Sequence, residues 1–62
     1  MCDTNLYVIR KGREELFMEN IDVIRREGDT FLLRDIFGEE KSLKGRFVET
    51  SLLKHRVVLE EI

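Results

Sequence analysis

Cys2 is the only cysteine of the chain and directly follows the initiator methionine. Removal of Met1 is favoured when the second residue is small, and it leaves one residue carrying both a free α-amine and a thiol. That amine nitrogen and the thiolate sulfur can close a five-membered chelate ring on a divalent ion. The backbone amide of Asp3 is placed to add a further nitrogen, and its carboxylate stands beside the site. Unperturbed, such a thiol titrates at ~8.5 and such an α-amine at ~7.7 to 8.0. A metal must therefore displace protons from both, and binding weakens as pH falls below neutral.

Little else in the chain reinforces a metal site by spacing. There is no CxxC, no HxxxH and no acidic cluster at ligand spacing. By spacing alone, a lone thiol at a terminus reads as incidental. His55 is the single histidine, and imidazole suits transition metals, but it lies between Lys54 and Arg56 where a solvated turn residue is the expectation. Met18 sits in an apolar run and reads as core. The pairs Glu14-Glu15, Glu39-Glu40 and Glu60-Glu61 are adjacent on strands, so their side chains point to opposite faces and cannot act together as acid and base. No Gly-rich phosphate loop and no GxSxG motif occurs. The chain does not read as an enzyme.

At 62 residues the chain is one small domain, spanning 1–62. A core of that size barely offsets the entropy of ordering the backbone. One cysteine cannot form an internal bridge, so oligomerisation or a metal is the expected support, and the compartment is expected to be reducing. No signal-peptide pattern precedes the short apolar run from Leu6 to Ile9, and no segment approaches the ~20 apolar residues of a membrane span. The expected location is the cytoplasm. The formal net charge is −2, with both signs interspersed, which supplies no basic patch for phosphate backbones.

The elements that must position Cys2 read as short strands. Four glycines and no proline punctuate the chain. Asn5 to Arg10 is rich in β-branched and aromatic residues, and Lys11-Gly12 reads as a tight hairpin connection into Glu14 to Glu19. A helix competes over Arg13 to Asp22, but Leu16 and Met18 alternate with Glu15, Phe17 and Glu19, which favours a strand. Ile21 to Arg26, Thr30 to Asp35, Glu40 to Lys44, Arg46 to Thr50 and His55 to Glu60 complete the set, with a short helical turn expected near Ser51 to Lys54. This is the pattern of an all-β domain, a small β-barrel or strongly curved antiparallel sheet of about six to seven short strands. Leu32, Val48 and Val58 stand opposite Phe31 and Leu33, Phe47, and Val57 and Leu59, so several strands are apolar on both faces. A partner subunit covering the outer set is the simplest remedy, and a homodimer is expected.

The opening Met1-Cys2, the Leu16-Phe17-Met18-Glu19 run followed by Val23 and Ile24, the Glu27-Gly28-Asp29 turn, the block Asp35-Ile36-Phe37-Gly38-Glu39-Glu40, the single Gly45 and the ending Arg56-Val57-Val58-Leu59-Glu60 together resemble the CooT family of small nickel-binding proteins. The similarity spans essentially the whole chain. It implies a compact β-rich homodimer that binds Ni²⁺ through the cysteine after the initiator methionine, serving nickel insertion into carbon monoxide dehydrogenase. Members are also often labelled predicted RNA-binding proteins. Carried over by position, the ligand is Cys2. The family commonly has a small or apolar residue next, whereas here Asp3 follows and can itself ligate.

Two functional classes stand at this point. One is a nickel-binding metallochaperone or nickel store with Cys2 and Asp3 as the metal residues. Two Cys2 residues at a two-fold axis would supply the two nitrogens and two sulfurs that square-planar nickel favours. The other is an RNA-binding or protein-interaction module on a small β-barrel, with Tyr7 beside Arg10, or Arg46 beside Phe47, as stacking platforms. The acidic balance and the single tyrosine weigh against the second.

Overall fold

The computed structural model describes residues 3–62; Met1 and Cys2, and with them the expected thiolate and amine donors, lie outside the described residues. Six strands form one sheet: β1 (Asn5–Arg10), β2 (Arg13–Met18), β3 (Ile21–Glu27), β4 (Thr30–Asp35), β5 (Glu40–Ser51) and β6 (Arg56–Glu61). The strand order is β2-β1-β6-β5-β4-β3. The sheet curves on itself without closing, so β2 and β3 are its two edges. A backbone hydrogen bond, Ile21 N–H to Thr4 O at 2.8 Å, ties the start of β3 to the residue before β1.

The turn chemistry places the hairpins where the residues demand. Lys11 and Gly12 both have positive φ, 51° and 78°, which is the conformation of a two-residue type I′ connection. Gly45 serves a different purpose. A Cβ there would lie 2.3 Å from the Glu60 carbonyl oxygen and 3.0 Å from Leu43 Cδ1, so only glycine lets β5 cross β6 this closely.

That crossing explains a difference from the sequence pattern. Gly45 does not separate two strands. Glu40 to Lys44 pair with β4 and Gly45 to Ser51 pair with β6, all within one twelve-residue strand that passes from one half of the sheet to the other. The expected helical turn after it is a plain hydrogen-bonded turn over residues 52–55. The sheet also departs from a wholly antiparallel one, since β1 and β6 run parallel, with Asn5 opposite Arg56 and Val8 opposite Leu59.

Alternation builds the core. Leu6 and Val8 of β1, Phe31 and Leu33 of β4, Leu43 of β5, and Val57 and Leu59 of β6 pack together with Met18 and Ile21. A bulge in β2 makes Phe17 an extra residue between Leu16 and Met18 in the pairing with β1. Phe17 consequently packs against the core while Leu16 stays exposed, which breaks the Leu16–Met18 alternation read from the sequence. Arg10 and Lys41 lie over the Phe17 ring at 5.4 and 5.3 Å, and Lys41 Nζ donates to the Phe17 carbonyl at 3.5 Å. This contact joins β2 to β5 beside the open seam of the sheet.

Of the outer apolar set, Val48 is exposed, Leu32 is half-buried and only Val58 is covered by its own chain. Val58 is buried within a single chain. It stands beside Tyr7, whose ring lies 4.5 Å below the Arg56 guanidinium, and Arg56 is held in turn by Glu14. An aliphatic-aromatic row is thus closed by a charged clasp from the same chain, and Val58 needs no partner subunit.

Candidate metal centre at the N-terminus

The chain entering β1 is fixed by one peptide unit. Asn5 N–H donates to the His55 carbonyl at 2.9 Å, and the Thr4 carbonyl of the same peptide accepts from Ile21 N–H at 2.8 Å. Because a trans peptide points its N–H and C=O in opposite directions, this segment is gripped between the β5–β6 turn on one side and the β2–β3 corner on the other. Asn5 Oδ1 adds a bond from Asn20 N–H at 3.3 Å. Asn20 O then accepts from Ile36 N–H at 3.0 Å, extending the chain of contacts to the β4–β5 turn.

The parallel pairing of β1 with β6 brings a second site residue into place. His55, the last residue of the turn before β6, adopts a left-handed backbone with φ 55°. Its Nδ1 lies 3.2 Å from Asp3 Oδ1, and both side chains are more than half exposed. A carboxylate and an imidazole therefore meet at the residue immediately after Cys2, one Cα step of about 3.8 Å along the chain. Both are ordinary ligands for nickel and other borderline divalent ions. Among the described residues there is no group of three or more histidine, cysteine, aspartate or glutamate side chains that could hold a metal. The Asp3–His55 pair is the nearest approach to one.

The sequence offered Asp3 and treated His55 as a solvated turn residue, and His55 is indeed in a turn and exposed. What no spacing rule could supply is its contact with Asp3, because that contact depends on two chain ends lying side by side in parallel. The acidic pairs are not assembled into a site. Glu14 is taken by Arg56, Glu60 by Arg46 at 3.2 Å, and Glu61 approaches Arg10 Nε to 2.8 Å without hydrogen-bond alignment. The same pairings occupy the cations of the nucleic-acid reading. Arg10 is held by Glu61 and Glu15, Arg46 by Glu60, and the Tyr7 ring lies beneath Arg56. The larger surface depression, about 520 Å³, lies over β3, β4 and β5 between Val23, Arg25, Leu32, Arg34 and Ser42, and includes neither Asp3 nor His55.

A small, strongly curved six-stranded β-sheet domain, with a carboxylate and an imidazole in contact beside the start of β1, defines the class of protein. The sequence model of the CooT family, described as CO dehydrogenase accessory protein CooT, matches residues 1–60. The chain belongs to this family. Its role is that of an accessory protein to CO dehydrogenase and not itself catalytic. It is 30% identical over 60 residues to the uncharacterized protein MJ1551 of Methanocaldococcus jannaschii, covering 97% of this chain and 98% of that one. It also matches a crystal structure assigned as CooT from Carboxydothermus hydrogenoformans, with a TM-score of 0.87, 31% identity and 98% of each chain covered. No helix among the described residues is long and apolar enough to cross a membrane.

Proposed function

We propose that this protein is a cytoplasmic, homodimeric nickel-binding protein that acts as a metallochaperone or nickel store in the maturation of CO dehydrogenase. Ni²⁺ is its cargo, bound through the α-amine and thiolate of Cys2 with Asp3 as an additional ligand. The observation that carries this reading is the 3.2 Å contact between Asp3 and His55. It fixes the carboxylate of the residue that follows Cys2 in sequence, in a chain whose family serves CO dehydrogenase.

The division of labour follows from ligand chemistry. The Cys2 thiolate and amine supply a chelating nitrogen and sulfur pair suited to square-planar nickel, and their affinity is gated by two protons. Asp3 adds a weaker oxygen donor that can leave readily, a useful property for cargo that must be handed on. His55 orients Asp3 from behind, in the way that outer partners fix the first ligands of a metal site. Exposure of both side chains leaves the ion accessible to a receiving protein.

Native mass spectrometry with Ni²⁺ tests the reading, because it reports methionine removal, oligomeric state and metal stoichiometry in one spectrum. The expected result is loss of Met1, a dimer, and nickel binding that disappears in Cys2→Ala. Nickel bound equally well by Cys2→Ala, or by protein retaining Met1, would remove the mechanism.

A further inference from the structure

The two edges of the open sheet differ in what they leave unsatisfied. At β2 the carboxylates of Glu14 and Glu15 are held by Arg56 and Arg10, and the bulge at Phe17 interrupts the ladder. Such an edge is poorly suited to take a further strand. At β3 the irregularity lies at the very start, between Ile21 and Val23, and from Val23 to Glu27 the strand pairs regularly with β4. An edge strand in an antiparallel ladder turns the N–H and C=O of every second residue away from its partner. Counted back from the two-residue Gly28-Asp29 turn, which Glu27 and Thr30 flank, those residues are Ile24 and Arg26.

The side chains on this edge are also without partners. Arg25 and Arg26 enter no ion pair or side-chain hydrogen bond among the described residues. Arg10, Arg34, Arg46 and Arg56, by contrast, are each held by a carboxylate. Successive residues of a strand face opposite ways, so one free guanidinium stands on each side of β3. Arg25 borders the depression of about 520 Å³ over β3, β4 and β5, which leaves it room to turn. Beside the two cations, Ile24 is exposed and Val23 half-buried. The edge therefore presents two apolar residues followed by two cations, together with free main-chain groups.

Charge selects the occupant. A second copy joining edge to edge through β3 would bring arginines against arginines, and like charges opposite one another on neighbouring strands are destabilising. A single-stranded nucleic acid would meet the two cations but no exposed aromatic ring on β3 or β4 for a base to stack on, since Phe31 is buried. An extended polypeptide carrying carboxylates satisfies the guanidinium groups and the main-chain groups together.

We propose that β3, from Val23 to Arg26, is a docking edge for an extended acidic segment of another protein, which adds to the sheet as a seventh, antiparallel strand. The segment has two acidic residues followed by two β-branched ones. The acids stand opposite Arg26 and Arg25, and the β-branched pair opposite Ile24 and Val23. The residue before the acids faces Glu27 and is uncharged. Neither Cys2 nor Asp3 takes part, so the docking edge stands or falls separately from nickel binding.

The test measures binding of a dye-labelled, end-capped peptide, Thr-Glu-Glu-Ile-Val-Thr, to the full chain by fluorescence anisotropy at physiological salt. The expected result is saturable binding that weakens about tenfold or more in the double variant Arg25→Glu with Arg26→Glu. Both side chains are exposed, and far-UV circular dichroism checks that the variant is folded. Its binding should return with the charge-swapped peptide Thr-Lys-Lys-Ile-Val-Thr. On wild-type protein, methylating the backbone nitrogens of the first Glu and the Ile removes the amides that face β3 and should abolish binding. Methylating those of the second Glu and the Val, which face solvent, should leave it intact. These two peptides decide the matter even if the double variant does not fold. No binding of the acidic peptide tighter than about 1 mM overturns the proposal. Binding that survives the charge reversal, or that tolerates both methylation patterns, overturns it as well. Displacement of the peptide by a single-stranded oligonucleotide would assign the two arginines to phosphate and overturn it too.

Discussion

Asp3 and His55 come from opposite ends of the chain and meet at 3.2 Å because β1 and β6 lie side by side in parallel. The parallel register sets Asn5 against Arg56, so the residues just before each strand, Asp3 and Thr4 on one side and His55 on the other, lie near the same level. The left-handed backbone of His55 then turns its imidazole toward the N-terminus. A non-glycine residue in that conformation costs about 1 to 2 kcal/mol, and the contact with Asp3 gives that strained position a purpose.

His55→Gly separates the backbone role of this residue from its side-chain role. Glycine adopts the positive φ freely, so urea denaturation should show stability equal to wild type or up to about 1 kcal/mol greater. Without the imidazole, Asp3 is no longer oriented, and isothermal titration should show nickel affinity about tenfold weaker. Unchanged affinity would leave His55 with no part in the site.

Nickel binding should fall steeply on acidification. Below about pH 7 both the Cys2 thiol and the α-amine carry protons in the free protein, and each must be displaced. The apparent affinity per chain should then drop by up to about 100-fold for each pH unit. Titrations at a series of pH values read this slope directly. A slope near tenfold per unit would mean that only one of the two groups ligates.

Gly45→Ala should be among the costly single-methyl additions in this fold. Its Cβ meets backbone, the Glu60 carbonyl oxygen at 2.3 Å, and so cannot be relieved by a side-chain rotation. A loss of about 1 to 3 kcal/mol is expected. For a domain this small the total stability is only about 3 to 9 kcal/mol, and chemical denaturation should show a clear shift in midpoint. A shift under a few tenths would mean that β5 and β6 can separate at the crossing without penalty.

Asp35→Ala should loosen the turn that carries Ile36 and Phe37. Asp35 is buried, and one carboxylate oxygen accepts from both Phe37 N–H and Glu39 N–H. Losing hydrogen bonds to a charged acceptor costs about 1.5 to 3 kcal/mol, whereas Asp35→Asn keeps an acceptor at Oδ1 and should cost less. Hydrogen exchange at the Phe37 and Glu39 amides should accelerate in Asp35→Ala more than in Asp35→Asn. Equal protection in all three proteins would show that the backbone alone holds this turn.

Much of the fold was written locally. Thr30 to Asp35 and Asn5 to Arg10 form strands over the residues that their alternation marks, Lys11-Gly12 makes the tight turn that its sequence demands, and Met18 lies in the core. These are short-range matters, decided by side-chain period and by which residues tolerate positive φ. Family membership was legible too, because the order of small motifs persists along the chain. Tertiary structure decided the rest. Gly45 bends one long strand where the sequence suggested a break, because its reason for being glycine is a carbonyl on another strand. Phe17 turns inward through a bulge, which depends on the register of β1 against β2. Val58 is buried within its own chain beside Tyr7, whereas Phe47 and Val48 stay exposed, so the two-faced pattern is covered within the chain at one strand and not at the other. The sequence, through its family resemblance, offers Cys2 and Asp3 as candidate donors. It does not offer the partnership of Asp3 with His55, since that requires the first and last strands to lie parallel, and no local signal in either end of the chain encodes the presence of the other.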